Sequence, residues 1–261
     1  MHITDDEIVS LNRLVLHKDI PSTRERHEIA SSRTSISRMA IGLKFSKEEL
    51  RERRLLQADM TDGVLLDRYR NIRTKLLARS KNDTGDNFIT LVTPVIPYSD
   101  SSLVAANLAA VFSLDEAKTS ILVEANVNDP KLNDLFYNEK NKGLIEYLES
   151  DEVDMSSMIL KTGVPRLCFV PSGLSKENSA EYFTSQKMKR FIKELLTRYP
   201  DRFPIVNSGS VINSADTRIL VALCDVVVLV IPYGMCSDEE VMQAALAIGE
   251  DKLAGVVLDG F

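Results

Sequence analysis

The chain has 261 residues, 44% of them hydrophobic and 27% charged, with a formal net charge of −6. This suits one large globular domain, or one domain plus a smaller appendage, and the negative balance argues against nucleic acid or an anionic membrane as partner. No apolar run reaches the ~18–20 residues of a spanning helix, and no signal-peptide core opens the chain, so the expected location is the cytoplasm without direct membrane insertion.

Residues 1–60 read as a helical or flexible N-terminal arm and residues 61–261 as an α/β domain. In the arm, Thr4 with Glu7 forms a capping box and Ile3 with Ile8 a staple, followed by apolar residues at helical spacing through Ile8, Leu11 and Val15. Pro21 and the Ser- and Arg-rich run from Ser22 to Arg38 read as a connection. A second helix start, again with box and staple, lies at Phe45-Ser46-Lys47-Glu48-Glu49-Leu50. Leu65 to Leu77, LLDRYRNIRTKLL, reads as an amphipathic helix with Leu66, Tyr69, Ile72 and Leu76 on one side. Asp67, Arg70 and Arg73 recur every third residue along an adjacent stripe of its surface.

Six short runs rich in Val and Ile follow: Phe88–Thr93, Thr119–Glu124, Arg166–Pro171, Phe203–Asn207, Val226–Ile231 and Ala254–Leu258. Their composition predicts strands buried on both faces. Between them lie helical patterns capped at Ser185 and, through a Ser237/Glu240 box, at Ser237. Strand–helix alternation predicts an α/β fold, a doubly wound and mostly parallel sheet flanked by helices, in which ligands bind beyond the carboxyl ends of the strands. The stretch Phe88 to Ala109, FITLVTPVIPYSDSSLVAANLA, passes from strand through a polar turn into a helix of small residues, the setting of a phosphate-binding P-loop. Yet neither glycine nor lysine stands between Thr93 and Asn107.

Three cysteines, Cys168, Cys224 and Cys236, lack metal or disulfide spacing. The histidines, His2, His17 and His27, all lie near the N-terminus, leaving the α/β domain none for a Ser-His-Asp arrangement or a His-based metal site. No metal site is expected.

The segments RYRNIRTKLL, AANLA, DPKLNDLF, GLIEYL, VPRLCFVPSG and GVVLDG, in this order and spacing, resemble the bacterial tyrosine autokinases of exopolysaccharide synthesis, a branch of the MinD/ParA-like P-loop ATPases. The resemblance spans roughly residues 60–261 and implies a P-loop NTPase-like domain, yet the family's nucleotide motifs are altered. Anchored on Ala105-Ala106-Asn107-Leu108, the loop glycines fall at Tyr98 and Asp100, either side of Ser99. The lysine falls at Ser101, and the Mg²⁺-binding hydroxyl is kept at Ser102. Tyr98 puts bulk, and Asp100 negative charge, where backbone N–H groups would cradle phosphate. The second motif reads Glu124-Ala125-Asn126-Val127-Asn128-Asp129-Pro130, with an acid lost at Asn126 and an arginine at Asn128. The third ends its strand on Asn207 in place of an aspartate. Asp67, Arg70 and Arg73 match the family's subunit-assembly motif. The seven tyrosines are scattered, without the family's C-terminal cluster.

The resemblance therefore implies a catalytically degenerate, kinase-like scaffold or regulator, with no catalytic residue and no cofactor expected. Its partners would be a second copy or an intact kinase homologue, together with a membrane chain-length-determinant (polysaccharide co-polymerase) protein that recruits it to the inner membrane. The alternative is a divergent but active ATP- and Mg²⁺-dependent tyrosine kinase in which Lys118, Lys131 or a neighbouring subunit's arginine replaces the lysine. A third reading is a MinD/ParA-like positioning adaptor.

Overall fold

A computed structural model describes residues 45–57, 63–80, 87–97, 99–136, 143–174, 179–198 and 201–260. All of these belong to one compact unit that runs from Ile36 to Phe261. The helix expected from Ile3 to Val15, the connection from Ser22 to Arg38, and Tyr98 lie outside the described residues.

In chain order the elements are α1 (Lys47–Glu52), α2 (Gly63–Ser80), β1 (Thr90–Pro94), α3 (Ser101–Ser113), β2 (Thr119–Glu124), α4 (Lys131–Phe136) and α5 (Leu144–Glu149). A 3-10 turn (Met155–Met158) leads to β3 (Leu160–Lys161) and β4 (Leu167–Val170), then α6 (Ser179–Thr184), α7 (Gln186–Thr197) and β5 (Arg202–Asn207). The chain closes with α8 (Ala215–Leu223), β6 (Val226–Pro232), α9 (Asp238–Ile248) and β7 (Leu253–Asp259). Among the described residues the strands form one seven-stranded sheet in the order β3-β4-β2-β5-β1-β6-β7. Every pairing is parallel except β3 with β4.

The expected caps are present. Ser46 Oγ accepts the Glu49 N–H at 3.1 Å while Glu49 accepts the Ser46 N–H at 2.7 Å, and Ser237 with Glu240 does the same at the start of α9. Ser185 Oγ accepts the Met188 N–H at 3.1 Å and starts α7.

Alternation along the central strands feeds two apolar layers. Leu91, Ile121, Val206 and Leu229 face α5 to α9, meeting Phe183, Phe191, Leu220 and Ile248. Val92, Leu122, Ile205 and Val228 face α2 and α3, where Ala105 and Ala109 let the helix axis approach the sheet. Phe112 stacks on Phe203 with ring centroids 4.9 Å apart, and Phe88 meets both edge-on.

Two features depart from the sequence expectation. The antiparallel β3 has two residues and sits at the sheet edge, too short to leave a pattern. The run Ala254–Leu258, expected to be buried on both faces, belongs to the opposite edge strand, with Val256 and Leu258 exposed. An apolar run reports only that a strand can be buried, and what covers it depends on distant elements.

Residues 45–57 pack onto this body. Phe45 and Leu50 lie against the α2/α3 layer, and Leu55 and Leu56 are buried within it. After α1 the chain turns at Arg54, with a left-handed φ of 58°, and Leu55 N–H donates to Leu50 carbonyl at 2.8 Å. The buried Asn107 side chain of α3 then holds the strap at both ends, accepting the Leu56 N–H at 2.9 Å and donating to the Arg54 carbonyl at 3.0 Å.

Candidate functional site

The sheet changes direction at β1, so the carboxyl ends of β1, β5 and β2 define the cleft where such folds hold ligands. Register brings the key groups together: Glu124 and Asn207, the last residues of β2 and β5, are directly paired, and Ser102 enters from the first turn of α3. Asn207 Nδ2 donates to Glu124 Oε1 at 2.8 Å and to Ser102 Oγ at 3.1 Å. Glu124 also accepts the Asn126 N–H and the Leu132 N–H, each at 3.0 Å.

Glu124 is fully buried, and burial pushes its pKa up to about 8 against the hydrogen bonds from Leu132, Asn207 and Asn126, which pull it down. At neutral pH the neutral acid therefore predominates, and the centre of the site carries little charge. Asn207 is also fully buried, and its Oδ1 has no hydrogen-bond partner among the described residues.

The turn before α3 is tied to the protein itself. Asp100 N–H donates to Asp259 Oδ2 at the end of β7 (2.9 Å), and Ser101 N–H donates to Ser99 Oγ (3.3 Å). The Asp100 carboxylate makes no cap to its own helix and pairs with Arg54 Nη1 at 2.9 Å. Ser99, Ser101 and Ser102 are buried. Asn126 accepts the Asp129 N–H at 3.3 Å from a half-buried position, and Asn128 is exposed.

Of the two lysines considered from sequence, Lys131 reaches this turn, with Nζ 3.5 Å from the Ser99 carbonyl and 3.7 Å from Asp129. Lys118 lies before β2 at the other end of the strands, beside Asp115 and over the Phe203 ring. Thr93 Oγ1 and Thr217 Oγ1 both donate to the Gly209 carbonyl, and Ser210 Oγ donates to the Val95 carbonyl, fastening the loop after β5 to the loop after β1. Sequence reading did not single out Arg54 or Asp259, whose partners lie 46 and 159 residues away. The signals for Asp259 were its place at a strand end and within the GVVLDG segment.

On α2, Asp67 and Arg70 form an exposed ion pair at 3.2 Å. Arg73 turns inward, half-buried, and Nη1 donates to the Val111 carbonyl of α3 at 2.8 Å. The three residues thus divide into an exposed pair and a helix–helix tie. Among the described residues no helix is long and apolar enough to cross a membrane.

A mostly parallel sheet with its cleft at the start of α3 defines a P-loop NTPase-like domain. No family model matches the chain. It is 29% identical over 196 residues to the tyrosine-protein kinase YwqD of Bacillus subtilis, covering 74% of this chain and 80% of that protein. It is 25% identical over 218 residues to the tyrosine-protein kinase CpsD of Streptococcus agalactiae, covering 82% of this chain and 90% of that one. Its fold superposes on the kinase domain of the Escherichia coli tyrosine kinase ETK with a TM-score of 0.69, at 21% identity over 84% of this chain and 88% of that chain. The chain is thus similar in sequence to bacterial tyrosine kinases and shares the fold of one such kinase domain, in keeping with the resemblance of its sequence segments.

Proposed function

We propose that the chain is a catalytically silent, tyrosine-kinase-like protein that serves as a scaffold or regulator in bacterial exopolysaccharide synthesis or export. The observation carrying this reading is the closed polar network at the strand ends. A phosphate-binding turn needs N–H groups free to face an anion and a lysine to offset its charge. Here the Asp100 and Ser101 N–H groups donate to Asp259 and Ser99, and the turn carries a carboxylate that engages the nearby Arg54 cation. Asn207, standing at the acid position of the third motif, is engaged with Glu124 and Ser102. These residues do not fit ATP with Mg²⁺, and no chemical step is assigned to them.

Partners follow from this reading: an intact kinase or a second copy, and a membrane-bound polysaccharide co-polymerase that would draw a cytoplasmic protein to the inner membrane. Calorimetry with ATP and ADP in the presence of Mg²⁺ is expected to give no binding heat, and phosphotyrosine is expected to stay absent after incubation with ATP. ATP hydrolysis or autophosphorylation that is abolished by Ser102→Ala or Asn207→Ala would overturn the proposal. One observation favours the active alternative, the position of the Lys131 ammonium beside the turn. On that reading Lys131→Ala removes the activity, whereas Lys118→Ala, at the far end of the strands, does not.

A further inference from the structure

Apart from the strand-end site, the large exposed apolar side chains concentrate around the β7 edge. Tyr233 and Met235 follow β6, Met242 and Leu246 lie on α9, and Val256 and Leu258 lie on β7; Leu246 is 78% exposed and Leu258 67%. β7 pairs only with β6, and its other edge has no partner strand among the described residues. Its seven residues, LAGVVLD, include no proline and no lysine, and the one irregularity is a bulge at Ala254, which leaves Gly255–Asp259 in regular register with β6.

The arrangement has a simple origin. α9 turns Val241, Ala244 and Ile248 toward the α5-to-α9 layer, where they meet residues of β6. The β6-α9-β7 connection is a parallel crossover, and its right hand sets β7 beyond the flank of α9 that carries Met242 and Leu246. Leu229 and Ile231 of β6 point into that layer, and their register partners Val256 and Leu258 share their face without a helix above them. The result is an apolar shelf that ends in a free row of backbone donors and acceptors.

We propose that this shelf is a self-complementary surface on which a second copy of the chain docks, with β7 pairing against β7 in antiparallel register about Val256. A two-fold axis there sets Gly255 opposite Val257, with the bulged Leu253–Ala254 end lying against Leu258 and Asp259, so no like charges face each other. The six side chains expose roughly 700 Å² per copy, close to the ~800 Å² that each partner gives to a stable interface. With α9 over β6, the two α9 axes stand about three strand spacings, or roughly 14 Å, apart. Helices are ~10–12 Å across with their side chains, so the Met242 and Leu246 flanks nearly meet above the joined strands. This surface is separate from the Asp67/Arg70 pair on α2 and does not depend on whether the strand-end site binds nucleotide.

The test is light scattering behind size exclusion on the whole chain at about 100 μM, enough to populate a dimer with a Kd near 10 μM or tighter. The expected mass is twice the 29.2 kDa of one chain. Leu258→Glu, and separately Met242→Glu with Leu246→Glu on the outside of α9, are expected to return the mass to one chain with unchanged circular dichroism, while Arg70→Glu leaves the dimer. The α9 pair keeps the test decisive if the strand variant fails to fold. Pairing about Val256 also sets the two Val256 Cα atoms ~4.5–5.5 Å apart, within disulfide range. In a Cys236→Ser background, Val256→Cys is therefore expected to cross-link two chains on oxidation, and Glu116→Cys, before β2, is not. A monomeric wild type, a dimer abolished by Arg70→Glu but indifferent to both shelf variants, or no Val256→Cys cross-link overturns the proposal. A monomer that instead binds a different protein through the shelf overturns it as well.

Discussion

Replacing Glu124 by glutamine probes the buried centre of the site through the pH dependence of stability. The carboxyl has an ordinary value of 4.5 and sits near 8 in the folded protein, driven there by burial. Between those values the folded chain holds a proton that the unfolded chain has released. The unfolded state then binds fewer protons, so this group's contribution to stability is full below about pH 4.5, falls as pH rises, and levels off above about pH 8. At about 1.4 kcal/mol per pH unit the window is worth at most roughly 5 kcal/mol, and hydration of the ionised site would bring the observed value to about 2–4 kcal/mol.

A glutamine at this position cannot ionise, but it turns an amide N–H toward the Leu132 or Asn207 donors that now reach the two carboxyl oxygens. That mismatch costs about 1–3 kcal/mol at every pH. Glu124→Gln is therefore expected to be less stable than the wild type near pH 5, with the gap closing or reversing by about pH 8. Urea unfolding of both proteins across this range, followed by far-UV circular dichroism, measures the gap. A gap that stays constant to within about 0.5 kcal/mol would show that Glu124 titrates alike in both states and would refute the argument.

Two other expectations concern the helices that flank the site. Asn107→Ala leaves the Leu56 N–H and the Arg54 carbonyl without their side-chain partner, which should cost about 2–3 kcal/mol and appear as faster amide exchange at residues 54–57. On α2, Arg73→Glu removes the bond to the Val111 carbonyl and should cost about 1–3 kcal/mol in thermal or urea unfolding. Arg70→Glu breaks only an exposed pair, should change stability by less than about 1 kcal/mol, and should weaken pull-down of an intact kinase partner if that pair is the contact. Equal stability losses in the two variants would contradict the inward placement of Arg73.

The sheet was legible because six of its strands are dense in Val and Ile and separated by helical patterns with clear caps. Ser46, Ser185 and Ser237 each mark a helix start using only residues three positions away. Local chemistry of that kind survives in any context. The site was legible as a set of positions, since strand ends follow from the alternation and a missing glycine or lysine is plain. Its connectivity was not, because Asp259 and Arg54 reach Asp100 only after the chain has been folded across the sheet. Arg73 illustrates the same limit within one helix. Its spacing matched Asp67 and Arg70, but the side chain is half-buried against α3, and a helical wheel does not report what lies beside it.

The strap at residues 45–57 has a practical consequence for anyone cutting the gene. A boundary at residue 60, where the sequence pattern passes from helical arm to α/β domain, would delete Leu55 and Leu56, both essentially inaccessible to solvent. Losing the burial of two leucines forfeits about 3–6 kcal/mol, a large part of the 5–15 kcal/mol that holds a typical domain together. The cut would also bare the apolar flank of α3 to water, inviting aggregation. Expression of the α/β body should therefore start ahead of Phe45, and insoluble material from shorter versions would reflect the missing strap rather than an unstable sheet.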